Sequence, residues 1–188
     1  MSQKDFFQHE TAIVSPRARI GRGTRIWAFT NVQDDAVIGE ECNVCDNCFI
    51  EKGSSIGNHV TVKNGVSVFE GVTLGDDVFC GENVAFINDR FPRSHREGSW
   101  ILEKTLVKKG ATIGSNATIL CGLTIGEYAF IGAGSVVVKD VPDHVLVYGN
   151  PARLRGHVCR CGKKLSQDLT CPCGEEYILT DGTLRLKS

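Results

Sequence analysis

The chain has 188 residues, and its 21 Lys and Arg nearly cancel its 22 Asp and Glu, so its charge offers no footprint for nucleic acid. No apolar run approaches a membrane span, and Met1-Ser-Gln-Lys-Asp5 does not open a secretory signal, so a cytoplasmic protein with no membrane partner is expected. The 21 Gly, the 5 Pro and the abundance of Val and Ile fit one principal domain of short strands and tight turns with a small appendage.

Residues 1–13 precede any repeat and read as an N-terminal cap. From Val14, steps of six residues land on Ile20, Ile26, Val32, Ile38, Val44, Ile50, Ile56, Val62, Val68, Leu74 and Cys80. Four residues after each stands a small or modest side chain, from Ala18, Thr24 and Thr30 through Cys42, Cys48 and Ser54 to Val78 and Val84. Gly often follows the aliphatic residue, as at Gly21, Gly39, Gly57 and Gly75. A period of six fits neither an α-helix nor an alternating hairpin. It fits a wall that makes one flat face and one corner per hexad, with the aliphatic inward and Gly or Asn relaxing the corner. Three hexads close a triangular coil, and neighbouring coils pair as parallel strands.

The register fails between Phe86 and Val107, which are 21 residues apart and so not a whole number of hexads. A loop over 86–106 must leave the prism. It carries Asn88, Asp89, Arg90, Arg93, Ser94, His95, Arg96 and Trp100. A long polar loop on a rigid scaffold is the first place to seek function. The period resumes at Val107 and runs through Ile113, Ile119, Ile125, Ile131 and Val137, again with Gly at 114, 126 and 132. The two blocks predict an all-β prism of about six coils over 14–142. Residues 143–158 read as a closing segment that covers the open strand edge.

Nine cysteines, an odd number without a signal sequence, argue against a disulfide framework. Cys42, Cys45, Cys48, Cys80 and Cys121 read as small core hydrophobes. In the tail 159–188, Cys159-Arg-Cys161-Gly and Cys171-Pro-Cys173-Gly form a paired motif that can supply four thiolates to a structural zinc ion in a ribbon-like unit. One residue separates each pair where two are usual. Seven Lys and Arg against four Asp and Glu over 152–188 are too mild an excess to make this ribbon a nucleic-acid binder.

The two registers resemble those of the hexapeptide-repeat acyltransferases. Phe86-Ile-Asn-Asp-Arg-Phe-Pro-Arg-Ser94 further resembles a signature of bacterial enzymes that acetylate the 3-amino group of a nucleotide-linked amino sugar for lipopolysaccharide or surface-glycan assembly. Gly23-Thr-Arg-Ile-Trp27, Val62-Lys-Asn-Gly-Val66, Leu106-Val-Lys-Lys-Gly-Ala111 and Tyr148-Gly-Asn-Pro-Ala-Arg153 extend the likeness over about 9–158. The resemblance implies a left-handed β-helix, a homotrimer, acetyl-CoA as co-substrate and a dTDP-linked 3-amino-3,6-dideoxyhexose as acceptor. A UDP-linked 3-amino-glucuronate is the alternative acceptor.

N-acetylation needs an unprotonated amine held against the thioester carbonyl and stabilisation of the resulting oxyanion. Asn88 and Asp89 are the catalytic candidates, as a hydrogen-bonding partner of the amine and as holder of a sugar hydroxyl or proton acceptor. A turn is the other role open to them. Arg90 and Arg93 suit a diphosphate, and Ser94 and His95 complete the substrate set. By position in the family, Gly114, Gly132 and Ala133 allow close approach of the coenzyme, with Lys139, Asn150, Pro151 and Arg153 towards its phosphate and adenine end. Trp27 and Phe29 are placed to stack on a base or to pack on the N-terminal segment. Three readings compete. A carbonic anhydrase of this fold needs three histidines around zinc, and only His59 lies within the coils. An O-acetyltransferase generally needs a histidine base, and a scaffold would need no polar loop.

Overall fold

The structure, a computed structural model, describes residues 5–95, 101–180 and 182–187. Most strands are two residues long, and they collect into sheets of nine, seven and six strands, parallel except for the last strand of the nine, that form the three walls of the prism. Pairing partners stand eighteen residues apart: Ile20 with Ile38, Ile26 with Val44, Val32 with Ile50. Three hexads per coil are therefore observed, in a parallel β-helix of the expected class. Among the described residues no helix is long and apolar enough to cross a membrane.

Beyond the partly buried Val14, Ala18 and Ile20 of the first coil, both inward positions of the hexads are buried. Ile26, Ile50, Ile113, Ile119, Ile125 and Ile131 are fully enclosed, as are the smaller Ala36, Cys42, Val60 and Ala117. Burying each Ile or Val side chain contributes about 1.5–3 kcal/mol relative to exposure, so the column of aliphatics carries the fold. The buried hydroxyls are satisfied: Thr24 donates to the Gly39 carbonyl at 2.7 Å and Thr30 to that of Cys45 at 2.7 Å. Burial pushes the Cys48 and Cys80 thiols up to about 12, which keeps them protonated and inert. Cys45 is half-buried and accepts a hydrogen bond from Asn43, so its role is less purely apolar than expected.

Each corner holds one residue with positive φ, and these too recur every six residues. Gly23, Phe29, Asp35, Glu41, Asn47, Gly53, His59, Gly65, Gly71, Asp77 and Asn83 make the first series. The glycines after the aliphatics are not among them. A Cβ on Gly39 would stand 2.5 Å from the Gly57 carbonyl oxygen, and one on Gly114 would stand 2.5 Å from the Ala133 nitrogen. Their requirement is close approach of successive coils rather than a permissive backbone.

The helix is longer than the predicted six coils. The nine-stranded sheet begins at Phe7–Gln8, paired with Arg25–Ile26, and runs on to Val145–Tyr148, paired with Phe130–Ile131. Gln8 occupies an inward position where the period demands an aliphatic, and its amide donates to the Ala12 carbonyl at 2.9 Å. Polar capping of the open end hid this strand from the repeat. At the other end Arg153–His157 folds back antiparallel on Val145–Tyr148 and covers the edge.

Phe86 is buried in register opposite Ile119, so the extruded segment leaves the wall after it. Leu74 pairs with Val107, 33 residues on where other partners are 18 on, so fifteen residues are inserted at this corner. Trp27 packs on Phe7 with ring centroids 5.3 Å apart and donates to Asn43 at 2.7 Å, which ties the N-terminal segment to the wall.

Candidate active site

The prism's three edges carry different chemistry. The edge between the seven- and six-stranded sheets bears the extruded loop, with Cys121-Gly122 and Lys139-Asp140 on the following coils. The edge between the nine- and seven-stranded sheets bears Gly114, Gly132 and Ala133, then Asn150 and Pro151. The late strands Thr118–Ile119 and Val136–Val137 of the seven-stranded sheet lie between these edges. The catalytic and coenzyme candidates thus border one wall.

The Ile87 amide donates to the Ile119 carbonyl at 2.9 Å, so Asn88 leaves the wall beside Leu120. Asn88 is half-buried, and among the described residues its side chain has no hydrogen-bonding partner. It is available to a ligand. Asp89 is half-buried and accepts the Phe91 amide at 2.9 Å, an Asx turn that directs the chain outward. Arg93, Ser94 and His95 are exposed on the described part of the loop, and Arg93 donates to the Pro92 carbonyl at 2.8 Å. Arg96 and Trp100 lie outside the described residues.

Arg90, expected to face a diphosphate, is committed elsewhere. Its guanidinium donates to both oxygens of Glu103, at 2.8 and 2.6 Å, and to the Cys121 carbonyl at 2.7 Å. The pair holds the Glu103 carboxyl below its usual range and the guanidinium above its own. Gly122 makes room for it: its φ is +77°, and a Cβ there would stand 2.6 Å from Glu103. On the coil below, Leu102 lies where a Gly71 Cβ would meet it at 2.8 Å. Glu103, Leu102 and Gly122 were missed in the sequence. The available signal was an acidic residue returning to the prism opposite the arginine that leaves it.

The coenzyme candidates fall in two groups. Gly114, Gly132 and Ala133 stack on consecutive coils beside Ser115, whose hydroxyl donates to Glu82 at 2.6 Å and lowers its carboxyl. Asn150 and Pro151, joined by a cis peptide bond, continue this edge into the cap. Lys139 and Arg153 meet in a cavity of about 350 Å³ at the end of the prism, lined also by Asp140, Val138, Pro142 and Leu154. This cavity holds two cations but not the glycines. His59 is one of the positive-φ corner residues, which gives it a structural place. The four tail cysteines converge, with all Sγ atoms within 4.8 Å of one another.

The model of the bacterial transferase hexapeptide (six repeats) family matches residues 17–52 and 104–139, on either side of the extruded loop. The chain is 50% identical over 184 residues to a dTDP-3-amino-3,6-dideoxy-alpha-D-galactopyranose 3-N-acetyltransferase of Aneurinibacillus thermoaerophilus, covering 96% of this chain and 95% of that one. It is 36% identical over 156 residues to a serine acetyltransferase of Bacillus pumilus, covering 83% of this chain and 52% of that one. The acetyltransferase domain of PglB from Neisseria gonorrhoeae, solved in complex with acetyl coenzyme A, superposes with a TM-score of 0.53 at 25% identity, covering 80% of this chain and 58% of that one. The chain belongs to the hexapeptide-repeat acyltransferases, with the nucleotide-linked 3-amino-sugar N-acetyltransferases. It is an enzyme, an N-acetyltransferase, and its left-handed coil is that of the family.

Proposed function

We propose that this enzyme transfers the acetyl group of acetyl-CoA to the 3-amino group of a dTDP-linked 3-amino-3,6-dideoxyhexose, in the cytoplasm, for surface-glycan or lipopolysaccharide assembly. The observation that carries the reading is the 50% identity to a relative of that activity along nearly the whole chain. The polar loop at one edge of the prism supports it. The thioester lies along the glycine edge, where Gly114, Gly132 and Ala133 admit it, and Lys139 and Arg153 face the coenzyme phosphates. Asn88 holds the acceptor amine. Asp89 fixes the turn that presents Asn88. Arg93, Ser94 and His95 reach the rest of the nucleotide sugar. Positioning of the amine supplies most of the acceleration.

The same reading makes the enzyme a homotrimer, with each site completed by a neighbouring prism. Phe91 and Ile101 support this, since both lie in the loop and are exposed by 69% and 80% in the single chain. Released thiol, measured with acetyl-CoA and a panel of dTDP- and UDP-linked 3-amino sugars plus L-serine, tests the proposal. The dTDP-linked 3-amino-3,6-dideoxyhexoses should be the best acceptors. Thiol release with L-serine alone, or with no amine at all, would sink it.

A further inference from the structure

The transfer reaction leaves the C-terminal unit unexplained. Cys159 and Cys171 head two knuckles of one backbone shape. In the first, the Cys159 amide donates to the Lys163 carbonyl at 2.9 Å, the Gly162 amide to the Cys159 carbonyl at 2.8 Å, and the Cys161 amide to the Cys159 sulfur at 3.4 Å. In the second, the Cys171 amide donates to the Glu175 carbonyl at 2.8 Å, the Gly174 amide to the Cys171 carbonyl at 2.9 Å, and the Cys173 amide to the Cys171 sulfur at 3.5 Å. Gly162 and Gly174 close the knuckles at φ of 84° and 95°.

Sulfur meets sulfur across the knuckles, Cys159 to Cys173 at 3.6 Å and Cys161 to Cys171 at 3.5 Å. A disulfide would need about 2.05 Å. A tetrahedral zinc ion with Zn–S bonds of about 2.3 Å spaces its sulfurs at about 3.8 Å, close to the observed contacts. The apolar core of this unit consists of Leu165, Tyr177 and Leu184 with the two buried cysteines and Leu169 beside them. So small a core does not hold a unit of this length without a staple.

The unit also seats on the prism through aromatic rings. His144 stacks on Tyr128 at 5.2 Å and meets Tyr177 at 5.5 Å. Tyr177 in turn lies 3.4 Å from the Cys159 sulfur through its hydroxyl, which accepts the Arg160 amide at 3.1 Å. A single side chain thus touches the cysteine cluster and the residue that anchors the unit.

We propose that Cys159, Cys161, Cys171 and Cys173 bind one zinc ion as a structural tetrathiolate, and that this ion clasps residues 159–187 onto the prism through Tyr177 and His144. Four protein ligands leave no open position, so the ion takes no part in acyl transfer. Orientation of a ligand by an outer hydroxyl is usual at such sites.

The test uses the full-length protein from zinc-supplemented growth. Metal analysis after gel filtration should find about one zinc per chain. Cys161→Ser with Cys173→Ser, both exposed positions, should lose it while the far-ultraviolet circular dichroism of the prism stays unchanged. Displacing zinc from the unaltered protein with a mercurial in the presence of chelator should open Lys163 and Lys164 to trypsin, and mass spectrometry should show an otherwise intact fragment ending at Lys163 or Lys164. Protein with no zinc and equal trypsin resistance before and after the mercurial would overturn the proposal. So would iron in place of zinc, visible as colour.

Discussion

Arg90 and Glu103 stand thirteen residues apart and close the extruded loop at its stem through two parallel contacts of 2.8 and 2.6 Å. The third contact, from Arg90 to the Cys121 carbonyl, fastens that stem to the next coil. The arginine therefore sets where the loop sits rather than gripping the substrate itself. Glu103→Ala should lower kcat/KM by about tenfold, because small displacements of a positioned group are costly in rate. Melting temperature should hardly move, as ion pairs this exposed contribute little to stability. Steady-state kinetics beside a thermal melt checks both. A variant with full activity would remove the pair from the functional account.

Asn88 and Asp89 are adjacent, and their side chains are used differently. Asn88→Ala should reduce kcat about a hundredfold, the scale seen when a donor to the reacting centre is removed. The melt should stay in place, since that side chain has no hydrogen-bonding partner among the described residues. For Asp89 the turn is the observed role, and an asparagine can accept the Phe91 amide equally well. Asp89→Asn should retain activity within about threefold while Asp89→Ala loses about tenfold, the size of a lost turn hydrogen bond. A dead Asp89→Asn enzyme would instead identify a proton acceptor.

The two kinds of glycine separate by mutation. Gly134 has φ +67° and nothing within 4 Å of the point where a Cβ would stand, so Gly134→Ala should cost about 1 kcal/mol from backbone conformation alone. Gly39 has no positive φ, but an added methyl would strike the backbone of Gly57 and the Asn58 side chain. Gly39→Ala should cost about 2 kcal/mol or more, because stacked coils cannot move apart locally. Urea titration of the two variants gives the comparison.

His157 supplies a pH dependence at the cap. Burial, and then the charge of neighbouring His144, hold its imidazole below the ordinary value of 6.5. The folded state therefore resists a proton that the unfolded chain accepts. The stability it contributes is present above 6.5 and is lost as the pH falls below that value. Melting temperatures between pH 8 and pH 5 should drop on the acid side, and His157→Gln should flatten the drop. An unchanged acid limb would show that other groups dominate it.

The walls were legible because each hexad repeats one demand, an aliphatic inward, and Ile20, Ile38 and Ile56 meet it without exception. The ends were not, because Gln8 and Tyr148 answer to solvent and to the cap instead. Phe86 read as the first residue of the loop, since an aromatic at an aliphatic position looks like a break, yet it fills the core opposite Ile119. The loop's candidacy could be read from its polar residues. The assignment inside it could not, because the partner of Arg90 returns only at Glu103, beyond the span that local pattern reaches. The cysteines were legible in the tail through their paired spacing, while the seat made by His144 and Tyr177 depends on a chain reversal that no motif announces.

The eighteen-residue spacing makes tolerance to length change uneven around the prism. Within a coil, adding one residue rotates every later aliphatic off its wall. At the corner between Phe86 and Thr105 the strand leaves and rejoins without disturbing the coils on either side, and fifteen extra residues fit there. That corner behaves as a socket. On the function proposed above, loops of other lengths and compositions exchanged between these two positions would change acceptor choice while leaving the walls as they are.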